Sequence, residues 1–210
     1  MRILPAILLL LSAVLFACCN DDDHDWYANY QMDFLDILTN ADGQGTRAVT
    51  DAGDTLTLLS TLKGLAADTA YRYVAVFVKE NGGIRFSSAV EALAPHPFSA
   101  GRITMKTDSV KMQSIWKVGR YINITLNILA KNKAHIFGFE QTSFDEENGH
   151  KHLRITLYHN RNQDVEAFTR TSYLSLPLWC YSDAMEQGRD SVHIAVNEYG
   201  NGPTTYSFAY

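Results

Sequence analysis

Acidic residues near the middle of the sequence are the first candidates for chemistry. Asp145, Glu146 and Glu147 are adjacent carboxylates, whereas the carboxylate pairs that hydrolyse glycosides face each other across a cleft, at roughly 5–9 Å. Neighbouring acids in a loop usually only keep the loop solvated. The sequence also contains no Gly-x-Ser-x-Gly, no phosphate-binding loop and no Cys-x-x-Cys. We therefore predict a protein that is not an enzyme, with a hydrolase as the weakest alternative.

Three histidines follow these acids. His150 and His152 share one face at the start of a predicted strand, and His159 lies beyond them. A metal site needs three or four convergent ligands with supporting hydrogen bonds. An exposed strand start explains these histidines more simply, so we predict no metal and no cofactor.

Aromatic side chains are the remaining candidates for binding, because they can stack on sugars or anchor a protein partner. The residues considered are Trp116, Tyr121, Tyr158, Trp179, Tyr181, Tyr199 and Tyr206. Packing within strands is the alternative, since β-proteins favour aromatic residues there. Tyr121 and Tyr158 fall on the solvent-facing sides of their predicted strands. They are therefore the predicted binding face for a glycan or protein ligand.

The elements that would position these residues are strands throughout. In the first half, alternation and turn residues predict five strands at 30–38, 46–50, 55–58, 70–79 and 84–90, with a hairpin at Asn81-Gly82-Gly83. A helical turn starting at Ser60 is predicted between the third and fourth strands. This pattern predicts a small OB-like barrel over 29–98. A domain of this size alone buries only about 60% of the surface of its unfolded chain. We therefore expect it to pack against the second half for stability.

The second half contains the longest alternation in the sequence. Ile122, Ile124, Leu126 and Ile128 point to one side of a predicted strand. About seven such strands with intervening turns predict an antiparallel, immunoglobulin-like β-sandwich over 103–210. The predicted fold class is thus all-β, with two domains.

The N-terminus carries the pattern of an exported protein. A charged start, an apolar run and the small residue Ala17 precede Cys18, as in a signal peptide over 1–17. Leu-x-Ala-Cys resembles the bacterial lipobox, which implies lipidation of Cys18 and membrane attachment through that lipid. The apolar run is too short to cross a bilayer comfortably. Residues 18–28 would then form a lipidated acidic tether.

Acidic residues follow the cysteine directly. Asp21, Asp22 and Asp23 resemble the export signal of surface lipoproteins in the Bacteroidetes, which implies display at the outer-membrane surface. A solvated acidic tether is the alternative and leaves the periplasmic face open. The net charge is −5 and no basic run occurs, so nucleic acid is a poor partner.

Four tripeptides of the form Asp-Ser/Thr-apolar occur, with hydroxyls at Thr55, Thr69, Ser109 and Ser191. They resemble the O-glycosylation acceptor pattern of Bacteroidetes envelope proteins. The alternative is a turn aspartate leading into a strand, which produces the same tripeptides.

The order of several short motifs resembles the NigD-like lipoprotein family of Bacteroidetes. These motifs are Cys18 with its aspartates, Tyr71 to Phe77, Asp108-Ser109-Val110, Ile115-Trp116, Gly119 to Ile124, Asp190 to Ile194 and Tyr206 to Tyr210. The resemblance implies an N-terminal OB-like domain, a C-terminal β-sandwich and no established catalytic residues. It also suggests bacteriocin immunity or envelope protection as an alternative function to binding.

Overall fold

The computed structural model describes residues 29–210 and confirms the all-β fold class. The signal peptide, Cys18 and Asp21 to Asp23 lie outside the described residues. The strands are β1 Tyr30–Thr39, β2 Gly45–Thr50, β3 Thr55–Leu62, β4 Ala70–Glu80, β5 Gly83–Glu91, β6 Phe98–Ser99, β7 Lys111–Val118, β8 Tyr121–Ala130, β9 Ile136–Glu147, β10 His150–Asn160, β11 Phe168–Pro177, β12 Ser191–Glu198 and β13 Gly202–Ala209. A 3₁₀ turn, Leu178–Tyr181, follows β11.

The first five strands close into a barrel in the order β1-β2-β3-β5-β4. An antiparallel β1–β4 pair and a short parallel β3–β5 pair complete the closure. Leu35, Ile37 and Phe77 lie in its core because alternate side chains point inward. The helical turn predicted at Ser60 is wrong: β3 continues to Leu62, and the Ser60 hydroxyl accepts a hydrogen bond from the Phe86 N–H at 2.6 Å.

The remaining strands form two stacked sheets, β13-β12-β10-β9-β6 and β11-β8-β7. The inward faces of β8, β10 and β12 supply most of the core between them. The five-stranded sheet is mixed, because β12 runs parallel to β10 and β6 parallel to β9. The prediction of a wholly antiparallel sandwich is corrected to this extent. The chain crosses from β10 to β11 in the opposite sheet and returns to β12 in the same direction as β10, so this pair is parallel.

A buried guanidinium joins the barrel to the sandwich. Arg72, on β4, contacts both carboxylate oxygens of Asp51 at 2.6 and 2.7 Å, and Oδ1 of Asp36 at 3.2 Å. It also donates to Oδ1 of Asn123 on β8 at 3.0 Å and to the Ser175 hydroxyl on β11 at 3.1 Å. The side chain of Arg72 is only 3% exposed. Each of these bonds therefore lies in a region that excludes water, where unpaired charges are costly.

The segment that connects the two halves is also bonded to both of them. The Ala92 N–H donates to the carbonyl oxygen of Arg72, and Leu93 forms a parallel bridge with Leu174. The Leu93 N–H donates to Tyr173 at 2.9 Å, and the Ser175 N–H donates to Leu93 at 2.8 Å. The connection is therefore part of the hydrogen-bonded structure at the interface.

Among residues 29–210, no helix is long and apolar enough to pass through a bilayer.

Candidate functional site: a polar cavity at the far end of the sandwich

The predicted binding face at Tyr121 is wrong, because Tyr121 is only 7% exposed. Its hydroxyl donates to the Asp36 carboxylate at 3.2 Å, and the Arg72 guanidinium lies 4.0 Å from its ring centroid. The alternation along β8 correctly places Tyr121 on the outer side of its sheet. The barrel covers that side, a non-local contact that the local pattern cannot reveal.

Tyr158 is also buried, at 8% exposure, so its assignment to a solvent-facing binding surface is corrected as well. It lies on the outer side of β10, where the ring of Phe98 meets it edge-on with centroids 6.1 Å apart. Gly138 leaves room for Phe98, since a Cβ there would lie only 3.0 Å from the ring. The Phe98 side chain, on the edge strand β6, therefore covers this part of the sheet.

The four candidate glycosylation hydroxyls differ in their surroundings. Thr55 and Thr69 are exposed, and their hydroxyls make no hydrogen bond within the described part of the chain. Ser109 and Ser191 are half-buried. The Ser191 hydroxyl lies 2.7 Å from Nδ1 of His152 and 2.9 Å from Nε2 of His193.

The three histidines that were considered as metal ligands do not converge on one point. His152 faces the outer side of β10, whereas His159, an odd number of residues away, is buried at the inner side. His150 bonds the carbonyl of Arg189 at 3.0 Å. Within residues 29–210, no three ligand side chains are grouped to hold a metal ion. Asp145 lies on β9 and pairs with Arg154 at 3.6 Å.

A polar cavity of about 230 Å³ lies at the end of the sandwich away from Tyr121 and the barrel; we call it the distal cavity. It lies beyond the far end of β8, roughly 30 Å from Tyr121 at about 3.3 Å per strand residue. Its walls include Thr107, Asp108, Ser109, Asn197, His135 and His159, with Arg161, Glu166 and Tyr199 also contributing. Polar side chains from four separate stretches of the sequence thus meet at this end.

Asp164 ties together the two loops that frame the distal cavity. Its carboxylate accepts hydrogen bonds from the backbone N–H groups of Lys131 at 2.7 Å and Asn132 at 3.2 Å. Burial alone would raise the pKa of Asp164, but these N–H groups lower it well below its usual value. The charged carboxylate therefore holds the loop after β8 against the loop after β10.

Two imidazoles joined by a hydrogen bond lie beneath the cavity. Nδ1 of His135 lies 2.8 Å from Nε2 of His159, and Nδ1 of His159 lies 2.7 Å from the carbonyl oxygen of Asp108. Burial lowers the pKa of both rings, so both are neutral near pH 7. The carbonyl requires a proton on Nδ1 of His159, which makes Nε2 of His159 an acceptor and Nδ1 of His135 the donor.

This assignment leaves Nε2 of His135 as a buried acceptor. It has no hydrogen-bond partner in the described structure, and the nearest carboxylate oxygen, on Asp164, is itself an acceptor at 3.5 Å. An unsatisfied buried polar atom is unusual in a folded protein. A hydroxyl or water donor would satisfy it if the side chains that cover this atom shift to admit the donor.

The rim of the distal cavity combines charge with an aromatic ring. Arg161 pairs with Glu166 at 2.8 Å, and the Tyr199 hydroxyl donates to Glu166 at 3.3 Å. Burial, followed by the Glu166 charge, raises the pKa of the Tyr199 phenol, so it remains a donor. Asn197 donates to the Thr107 carbonyl at 2.7 Å. Such a rim can bind a polar ligand through hydrogen bonds and ring stacking.

Sequence reasoning found only part of this site. Tyr199, His159 and Ser109 were singled out there for stacking, metal binding and glycosylation. His135, Arg161 and Glu166 were missed because each falls in or beside a turn, where polar residues are expected for solvation alone. The sequence feature that could have indicated a shared site is that these turns follow or precede neighbouring strands at the same end of the sandwich.

Comparison with protein families shows one match over the second half of the chain. Residues 98–210, more than half of the sequence, match the model of the NigD-like C-terminal beta sandwich domain. A search of curated proteins finds no match.

Solved structures from the Bacteroidetes have the same architecture. A NigD-like immunity protein from Bacteroides caccae is 25% identical, with a TM-score of 0.67 over 85% of this chain and 91% of its own. A protein of unknown function from Bacteroides vulgatus is 14% identical, with a TM-score of 0.65 over 86% and 90%. A candidate lipoprotein from Bacteroides fragilis is 13% identical, with a TM-score of 0.62 over 86% and 97%. The latter two similarities concern the fold alone.

Proposed function

Because the chain belongs to the NigD-like family through its C-terminal β-sandwich domain, we propose that it is a non-enzymatic lipoprotein of the cell envelope. In this proposal its distal cavity binds a glycan or a loop of another protein. The lipid on Cys18 is the only attachment to the membrane that the proposal requires. The similar fold of the candidate lipoprotein from Bacteroides fragilis is compatible with this anchoring.

We place the protein on the outer-membrane surface, with Asp21, Asp22 and Asp23 as the export signal. The distal cavity then faces outward, because the tether leads into β1 of the barrel and the cavity lies at the other end of the sandwich. Protease treatment of intact cells tests this orientation. Digestion of the protein supports surface display, whereas full protection would place it on the periplasmic side.

The observation that carries the binding function is the unpaired Nε2 of His135 beneath a cavity whose rim is polar. A ligand hydroxyl reaching Nε2 would supply the missing donor, while Tyr199 and the Arg161–Glu166 pair contact the remainder of the ligand. Hydroxyl-rich ligands suit this arrangement, so a glycan ranks ahead of a protein loop.

Glycan-array and pull-down screening of the chain from residue 19 onward tests the proposal. Tyr199→Ala should weaken binding to any ligand found by about tenfold or more, because it removes the exposed ring at the rim. Tyr30→Ala is the matched control, since Tyr30 is 41% exposed and Tyr199 is 42% exposed. Equal binding by wild type and Tyr199→Ala would contradict this assignment.

Bacteriocin immunity is the second candidate function. It is favoured by the name of the Bacteroides caccae structure, a NigD-like immunity protein that is 25% identical to this chain. Co-culture of a deletion strain with bacteriocin-producing relatives tests this role. Greater killing of the deletion strain, reversed by the wild-type gene and not by Tyr199→Ala, would make toxin binding at the distal cavity the function. Unchanged killing would leave binding of a glycan or another protein as the proposal.

A further inference from the structure

A second concave surface lies on the sandwich, at the end where Arg120 bonds Asp36 of the barrel, and we call it the junction groove. It has a volume of about 380 Å³, and its walls include Lys117, Arg120, Trp179, Ser182, Gln187 and Tyr210. This volume is within the usual range of small-molecule sites, about 300–1,000 Å³. The groove shares no wall residue with the distal cavity.

The indole of Trp179 forms an exposed part of the groove wall. Leu178 and Tyr181, at the two ends of the 3₁₀ turn, are buried. Residues three apart in a 3₁₀ turn share one face, so Trp179 is directed to the other. It is 40% exposed, and the ring of His96 meets it edge-on at 4.8 Å. The indole is thus a supported apolar surface that remains open to solvent.

Two cations line the same groove as this indole. The Arg120 side chain is 63% exposed and uses Nη2 for Asp36 at 3.1 Å, which leaves its other N–H groups available. Lys117 takes part in none of the ion pairs among the described residues. Its Nζ lies 5.9 Å from the ring centroid of Tyr210. A backbone hydrogen bond joins the 3₁₀ turn to the residue that carries one of these cations: the Leu178 N–H donates to the Arg120 carbonyl at 2.8 Å.

The uncharged polar groups of the groove are also available. The Gln187 amide makes no hydrogen bond within residues 29–210, and the Ser182 hydroxyl, which donates to the Trp179 carbonyl at 3.0 Å, can still accept one. A ligand here meets a flat apolar ring, the Lys117 ammonium, the Arg120 guanidinium that is already paired with Asp36, and a set of hydrogen-bonding groups. A sugar ring has an apolar C–H face and hydroxyls at its edge, and a carboxylate is the group that guanidinium and ammonium ions bind.

We propose that the junction groove binds a carboxylate-bearing sugar, with the sugar ring stacked on Trp179 and the carboxylate held by Lys117 and Arg120. Gln187 and Ser182 hydrogen-bond the sugar hydroxyls. This site is separate from the distal cavity and does not depend on the function proposed for it.

Titration calorimetry of the chain from residue 19 onward with trigalacturonic acid tests the site, with galactotriose as the neutral counterpart and an Asp/Glu hexapeptide as the non-sugar acid. Trigalacturonic acid should bind at least about tenfold more tightly than either of the others. Trp179→Ala should weaken this binding about tenfold or more. Lys117→Gln should weaken it about fivefold. Binding should also fall as salt is added, because Arg120 is exposed and Lys117 is only half-buried.

Matched variants separate this site from other surfaces. Lys111→Gln removes an exposed lysine from the same strand, β7, and should leave binding unchanged. Tyr199→Ala alters only the distal cavity and should also leave it unchanged. Thermal melting of each variant checks that it folds. Equal binding of galactotriose or of the hexapeptide, binding that survives Trp179→Ala, binding lost in Tyr199→Ala, or no binding of trigalacturonic acid would each overturn the proposal.

Discussion

Arg72 is the residue on which the attachment of the two halves most depends. Asp36 and Asp51 reach it from the barrel, and Asn123 and Ser175 reach it from the sandwich. Asn123 also donates to Asp51 at 2.7 Å, so two of the side chains that bind Arg72 are hydrogen-bonded to each other as well. A neutral side chain at position 72 would leave the buried Asp51 carboxylate without a counter-ion and Asp36 with Arg120 alone.

We expect Arg72→Met to lower the free energy of unfolding by about 3–5 kcal/mol, because breaking a buried ion pair from one side leaves the other side uncompensated. Urea unfolding measures this loss. Arg85→Met is the control, since its pair with Glu80 is 55% and 36% exposed; it should cost less than about 1 kcal/mol. Similar losses in both variants would show that the Arg72 network adds little stability.

The four candidate glycosylation hydroxyls allow a second prediction at the scale of single residues. Modification should occur at Thr55 and Thr69, whose hydroxyls are exposed and unbonded in the described structure, and not at Ser109 or Ser191. Asp190, which precedes Ser191, accepts hydrogen bonds from Lys151 and Glu186, as expected of a turn aspartate. Peptide mapping by mass spectrometry of the protein from its natural host measures this. Sugar on Ser191 would contradict it.

At the scale of elements, β8 shows what local pattern can and cannot predict. Its inward residues Ile122, Ile124 and Leu126 were assigned correctly, because strand side chains alternate and one face must be buried. The same alternation predicts a solvent-facing Tyr121, yet the barrel buries this residue together with Asn123 on the same side of the strand. The five barrel strands are likewise located by the turns between them, although their order is not. The contacts between the barrel and the sandwich depend on residues far apart in sequence, and so does the distal cavity. The alternation of side chains within one strand cannot predict either of them.

The turn between β7 and β8 offers a test of the interface at this scale. Gly119 has a φ of +51°, and a Cβ there would lie 2.1 Å from the carbonyl oxygen of Asp51 in the barrel. Gly200 has a φ of +80° with open space around it, so it isolates the cost of backbone conformation. Gly200→Ala should cost about 1–2 kcal/mol. Gly119→Ala should cost roughly 1–3 kcal/mol more, because the barrel must shift.

Chemical denaturation of both glycine variants measures the difference. If the two losses are equal, the close approach of Gly119 to Asp51 does not constrain the interface. A larger loss in Gly119→Ala shows that the turn and the barrel are in firm contact.

At the scale of the whole molecule, the two loops at the distal cavity should respond to acid. His135 and His159 have lowered pKa values because they are buried, so the folded state favours their neutral forms. Their contribution to stability is present above about pH 6.5, the usual value for histidine, and is lost as the pH falls through the lower pKa of the folded state. Asp164 partly offsets the loss for His135, and Arg170 adds to it.

We therefore expect the melting temperature and ligand affinity at the distal cavity to fall between about pH 6.5 and 5, since protonation places charge in a buried pair. His135→Phe should reduce this dependence, whereas His150→Gln, at an exposed histidine, should not. Melting curves and binding titrations across this range provide the measurement. A wild-type protein whose melting temperature does not change over this range would contradict the expectation.

The bonded segment around Leu93 has a consequence for how occupancy could be communicated. A connection that forms a bridge with Leu174 and bonds the carbonyl of Arg72 is not a hinge, so the barrel and sandwich have little freedom to change their mutual angle. A ligand at either end would leave the shape of the molecule the same. Binding of a ligand would then change only which molecule is held at that site. Any signal that depends on binding would require another protein that contacts both this protein and the ligand.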